Sequence, residues 1–178
     1  MRLFVALDLP FELRERLSLL VGGLPGARWA PLENLHLTLR FIGEANGPLA
    51  EEIDHALAAL RVPGFALRLA GLGVQHRNAR PASLWIGAER NAALEHLQNK
   101  IETALQRAGL PAERRRFAPH VTLARLDPAV AEDRLGAYIQ AHNLFRAEAV
   151  QIGHFTLFSS LRAKEQSAYR SEVDYELV

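Results

Sequence analysis

The sequence has no cysteine, so disulfides, thiolate metal sites and thiol nucleophiles are excluded. It also lacks a long hydrophobic run. The apolar opening Leu3–Leu9 is broken by Asp8 and followed by charged residues, too short and too polar for a membrane span or signal peptide. No low-complexity stretch divides the chain. Neither sign of charge dominates: 21 Lys and Arg against 20 Asp and Glu leave a net charge of +1. That excludes coating nucleic acid by bulk attraction and leaves room only for a local basic groove. What remains is 178 residues, 49% hydrophobic and 23% charged, enough for one domain with a real core. The expectation is a single cytoplasmic domain, 1–178, without membrane attachment, and with no feature that calls for a cofactor or a protein partner.

One short phrase occurs twice. Leu35-His36-Leu37-Thr38-Leu39-Arg40-Phe41 and Pro119-His120-Val121-Thr122-Leu123-Ala124-Arg125-Leu126 each set a His and a Thr two apart among apolar β-formers. Positions i and i+2 of a strand share a face, so each copy presents an imidazole beside a hydroxyl. The copies lie 84 residues apart, about half the chain, which suggests two lobes sharing one cleft. With seven His and four Thr, random placement gives well under one such pair. A third, His154-Phe155-Thr156, sits on a late strand, breaks the internal repeat and reads as structural. A three-His metal site is the sharper reading of the trio, but neither a His-Glu-x-x-His string nor an acidic cluster accompanies it; no metal is expected.

The surrounding pattern predicts a buried strand over Arg2–Leu9, then a helix opened by Pro10 with Leu13, Leu17 and Leu20 on one side. The first motif strand spans about Asn34–Ile42 and closes at Gly43. Residues 48–60 read as a helix, and Phe65–Val74 as one alternating strand. Leu84–Gly87 is a short strand, followed by a helix over Ala92–Ala108 stopped by Gly109 and Pro111. The second motif strand covers Phe117–Leu126. Asp127-Pro128 is expected to cap a helix over about 129–142, and strands follow at Ala147–Phe158 and Ala168–Leu177. The fold class is α+β, bilobal, with two pseudo-symmetric lobes of mainly antiparallel sheet and packed helices around a central cleft. The halves are expected to meet near residues 75–83.

These motifs together resemble the two-histidine phosphoesterases, and more closely the RNA 2′,3′-cyclic phosphodiesterases, also called 2′-5′ RNA ligases. The resemblance spans nearly the whole chain: Arg2–Pro10, Asn34–Glu44, Leu84-Trp85-Ile86-Gly87, Phe117–Arg125, and Leu157-Phe158-Ser159-Ser160 followed by Tyr169. It implies hydrolysis of RNA ends bearing a 2′,3′-cyclic phosphate (tRNA fragments are one carrier of such ends), leaving a 2′-phosphate, with reversible ATP-independent 2′-5′ ligation. By the same resemblance His36 protonates the leaving 3′-oxygen and His120 activates water.

Histidine suits both tasks because its unperturbed pKa of ~6.5 lies near working pH. Thr38 and Thr122 are placed to donate to non-bridging phosphate oxygens; plain β-propensity is their alternative reading. Arg125 matches the family's phosphate-binding arginine, yet strict alternation from His120 turns it to the opposite face, so it needs a bulge or the strand's end to reach the cleft. Arg40 is the reverse case: alternation sets it beside His36 and Thr38 as a rim candidate, with an ordinary surface arginine as the alternative. Phe117 and Tyr169 are candidates to stack a base, or else fill core. Two rival functions stay open: a phosphodiesterase for 2′-5′ oligonucleotides or another small cyclic phosphodiester, and a non-catalytic RNA-end binding protein.

Overall fold

A computed structural model describes residues 1–162 and 167–178. The strands are β1 (Arg2–Asp8), β2 (Ala27–Trp29), β3 (His36–Glu44), β4 (Phe65–Leu67), β5 (Leu69–Arg77), β6 (Arg80–Ala88), β7 (His120–Leu126), β8 (Val150–Ile152), β9 (His154–Arg162) and β10 (Ser167–Glu176). The helices are α1 (Phe11–Leu17), α2 (Gly47–Ala58), α3 (Ala92–Arg107) and α4 (Glu132–His142). One antiparallel sheet runs β10-β9-β1-β3-β7-β6-β5, with β2 added on β7, and β4 pairs with β8 in a small second sheet. The class is α+β with a mainly antiparallel sheet.

The centre of that order has a physical cause. Leu3, Phe4, Val5, Ala6 and Leu7 are all buried, so β1 is apolar on both faces and needs a neighbour on each edge. It takes β3 on one side and β9 on the other. The end of the chain therefore returns to β1, the neighbour of the first motif strand. Residues 75–83, near which the halves were expected to meet, form the tip of the β5–β6 hairpin. The seam of the sheet lies between β3 and β7, where the single register pair is Leu37 with Val121.

Behind the sheet, Leu37, Leu39, Val121, Leu123 and Ile86 join the main core with Leu13 and Leu17 of α1 and Leu94, Leu97, Ile101 and Leu105 of α3. Each of those α3 side chains is 0–1% exposed, and burying one stabilises the fold by roughly 1.5–3 kcal/mol. Asn91 accepts from the Leu94 N–H and caps α3, as Asn46 caps α2 through Leu49 N–H.

Several boundaries depart from the sequence reading. Phe65–Val74 divides into β4 and β5, and Ala147–Phe158 into β8 and β9, because β4 and β8 leave the main sheet to pair with each other. The first motif strand runs through Gly43 to Glu44. Asp127 does not cap α4: its carboxylate accepts from the Ala129 N–H in a local turn, and the helix starts later, behind Ala131, with no side-chain cap.

Candidate active site

The Leu37–Val121 pair builds the site. Both side chains are fully buried on the core face, so the residues flanking each turn to the opposite face. Antiparallel pairing then sets His36 across from Thr122, and Thr38 across from His120. The two His-x-Thr copies meet at one seam.

Each imidazole is anchored the same way. His36 Nδ1 lies 2.7 Å from the Asn34 carbonyl oxygen, and His120 Nδ1 lies 2.6 Å from that of Ala118. A carbonyl only accepts, so Nδ1–H donates in both, and Nε2 is the nitrogen left free for chemistry. Thr38 is half-buried and Thr122 exposed. Among the described residues neither hydroxyl makes a hydrogen bond, so both remain available to an anion.

Two β-bulges decide what else reaches this face. In β7, Leu123 is the extra residue, since Leu84 pairs with Ala124 but Trp85 pairs with Thr122. The bulge inverts the alternation and brings exposed Arg125 onto the face of His120 and Thr122, as the sequence reading required. In β3, Leu39 is the extra residue, with Val5 opposite Arg40 and Ala6 opposite Thr38. It sits at the same offset from its histidine and has the opposite consequence.

Arg40 is turned into the core, 7% exposed. Its Nε donates to Glu102 of α3 at 2.6 Å, and its other nitrogens donate to the Phe41 and Pro111 carbonyls. Burial pushes the Glu102 carboxyl up, but the bonds from Arg40, the Glu113 N–H and Gln106 outweigh it and hold the group below its ordinary value. The rim role expected for Arg40 is therefore corrected: it is a buried tie between β3 and α3. Phe41 takes its place on the site face, 54% exposed.

Tyr169 does come to the site, edge-on to His36 with ring centroids 5.2 Å apart. Phe4 lies 5.1 Å from the same imidazole and stacks on Phe158 at 5.2 Å. Phe117 is half-buried and packs against the main core, the alternative foreseen for it. His154 lies on β9, between β10 and β1, and its companion Thr156 is fully buried and donates to Asp174 at 2.6 Å. Among the described residues no three His, Cys, Asp or Glu side chains gather as a metal ion needs.

Three neighbours were missed from sequence. Trp85 lies 5.6 Å from His120, ring to ring. It lies flat over Gly73, where a Cβ would come within 2.1 Å of the indole. Asp8 pairs in register with His36 and holds an ion pair with Arg14. Phe41 is the third. The bulges at Leu39 and Leu123 were the readable signal for it: the one Arg125 demanded, applied to the first copy, exchanges Arg40 for Phe41.

His36 has a pKa below the ordinary imidazole value. Burial among these rings is the main cause; Arg14 and His120 push the same way, against the Asn34 carbonyl and Asp8.

This sheet, with two motif strands at its centre, matches a solved phosphoesterase at a TM-score of 0.81 and 27% identity over 99% of this chain and 97% of that one. It also matches Escherichia coli LigT complexed with 3′-AMP at a TM-score of 0.80 and 28% identity, covering 99% and 97% of the two chains. The family model described as the 2′-5′ RNA ligase superfamily matches residues 12–164, and the chain belongs to that superfamily. Among similar curated proteins, the RNA 2′,3′-cyclic phosphodiesterase of Aeropyrum pernix is 34% identical over 78% of this chain and 80% of its own length. The protein of the same name from Escherichia coli K12 is 34% identical over 70% and 71%.

Proposed function

We propose that this chain is an enzyme that hydrolyses RNA 2′,3′-cyclic phosphate ends to 2′-phosphomonoesters, with His36 as general acid and His120 as general base. The observation that carries the reading is the paired anchoring: two imidazoles, each fixed through Nδ1 to a carbonyl two residues back, on either side of one bridging pair. The names of the relatives support the substrate class.

In this mechanism the cyclic phosphate sits over the seam with one Nε2 on each side. His120 takes a proton from water as it attacks phosphorus, and His36 gives one to the departing 3′-oxygen. Thr38, Thr122 and Arg125 bind the non-bridging oxygens, where charge builds in the transition state. With the 5′-hydroxyl of a second strand in place of water, the same groups make a 2′-5′ linkage, and that step run backwards cleaves it to the cyclic phosphate and the 5′-hydroxyl. The site residues act without a metal or other cofactor. Tyr169 and Phe41 are the base contacts, and 1–178 acts as a single domain in the cytoplasm.

The lowered pKa of His36 favours a second assignment, with the roles exchanged, because a base must be neutral before it acts. A phosphate anion bound beside it raises that pKa, which restores the first. The test uses a nucleoside 2′,3′-cyclic phosphate with chelator present, and product identity read by phosphorus NMR. A 2′-phosphate and a bell-shaped rate profile are expected; absence of turnover leaves the RNA-end binder. An aryl phosphodiester, whose leaving group needs no proton, then separates the roles. His36→Ala should retain turnover on it and His120→Ala should not; the reverse result exchanges acid and base.

A further inference from the structure

Beyond Arg125 the site face continues into a groove of about 560 Å³ lined by Arg28, Arg77, Arg80 and Arg125, with Asp127 as its acidic member. The arginines are held in an arrangement that folding alone disfavours. Arg28 is the register partner of Arg125 across β2 and β7, and Arg77 is the register partner of Arg80. Like charges directly opposed on neighbouring strands destabilise a sheet, and here two such pairs surround one groove. All four side chains are exposed, and among the described residues none makes an ion pair. Asp127 offsets only one of the four positive charges, and one of its oxygens already accepts from the Ala129 N–H.

The Arg77–Arg80 pair is also fixed in place at a backbone cost. The two residues between them, Asn78 (φ 54°) and Ala79 (φ 61°), both have positive φ, the geometry of a two-residue hairpin turn that ordinarily selects glycine at its second position. An alanine there is strained. The tight turn holds the backbones of Arg77 and Arg80 directly opposite one another.

We propose that this groove is a subsite for the phosphodiester backbone of an RNA strand, gripping the nucleotides 5′ to the end that reacts at the seam. The inference rests on the phosphodiesterase reading for the position of the reacting end. A 2′,3′-cyclic phosphate is by its chemistry the 3′ terminus, so the remainder of the strand leaves the site on the 5′ side. A polyanion lying against the groove relieves both like-charge pairs at once, and each phosphate neutralised releases counterions. An RNA strand then engages both the seam and the groove, and a mononucleotide only the seam.

The experiment compares a hexaribonucleotide ending in a 2′,3′-cyclic phosphate with the mononucleoside 2′,3′-cyclic phosphate of the same base. The hexamer should show kcat/KM about tenfold or more higher, falling with salt by roughly 0.7 in log–log slope per phosphate contacted. The triple substitution R28Q/R77Q/R80Q should bring the hexamer down to the mononucleotide value and flatten the salt dependence. Mononucleotide turnover should be unchanged and the melting temperature the same or higher. Equal rates for the two substrates in the unaltered protein, or equal losses on both in the variant, overturn the subsite. If neither substrate turns over, the catalytic reading fails by itself, and anisotropy of a labelled hexaribonucleotide decides the groove. Salt-sensitive binding weakened by the triple substitution upholds it; unchanged binding overturns it.

Discussion

The two sides of the seam carry the same motif in the same anchored geometry and yet offer different chemistry. Around His36 the sheet face is aromatic: Phe4, Phe158, Tyr169 and the exposed ring of Phe41. Around His120 it carries Trp85, exposed Thr122, Arg125 and the arginines beyond. The bulges make the contrast sharp. Five residues past each histidine, a bulge at the same offset turns a side chain to the site, and that side chain is Phe41 on one side and Arg125 on the other. The same anchored imidazole thus stands beside two different walls, one aromatic and the other basic.

Removing either imidazole should break the symmetry most. His36→Ala and His120→Ala are each expected to lower kcat on a cyclic phosphate by about 10²–10⁴-fold, and His154→Ala to leave it unchanged. A His154→Ala loss as large as the other two would bring the third motif into the site. Next comes Arg40, which separates core from site. Cutting the buried pair by Arg40→Met should cost about 3–5 kcal/mol in chemical denaturation while the folded fraction keeps its activity; a stable but inactive variant would return Arg40 to the site. On the aromatic side, Phe41→Ala should cost about 1–3 kcal/mol per stacked base, seen as a raised KM for RNA with little change in kcat. An unchanged KM means no base rests there.

The smallest expected effect is in pH. Because burial lowers the His36 pKa on folding, the unfolded chain holds that proton more tightly. Its contribution is therefore neutral above the unfolded value of about 6.5, and stability declines as pH falls from there toward the folded value. His36→Asn should flatten the drop in melting temperature between about pH 7 and about pH 5.5, and an equal slope in both proteins would mean that burial does not shift this group. Inorganic phosphate should move the His36 titration upward by NMR.

Much of this was legible in the residues. The helix read over Ala92–Ala108 followed from Leu94, Leu97, Ile101 and Leu105 in phase, stopped by Gly109 and Pro111, and it spans Ala92–Arg107. The two motif strands followed from alternation, and the shared face of each His and Thr from the two-residue period. Arg125 came with its own condition, a bulge or the strand's end, and a bulge is there. Arg40 failed because the period was carried one residue too far along a strand that bulges at Leu39. Trp85 escaped notice because its place depends on Gly73, twelve positions earlier and adjacent only through the β5–β6 hairpin.

The sequence by itself determined the local matters: which stretches are strands and helices, which side chains alternate together, and that two His-x-Thr phrases exist to be joined. Those follow from periodicity and capping, which act over a few residues. Only the tertiary structure decided that the phrases meet at Leu37 and Val121, that the chain's end returns to β1, and which wall is aromatic and which basic. Strand order and bulges are set by how buried faces pack across the whole sheet, and no window of sequence contains that information.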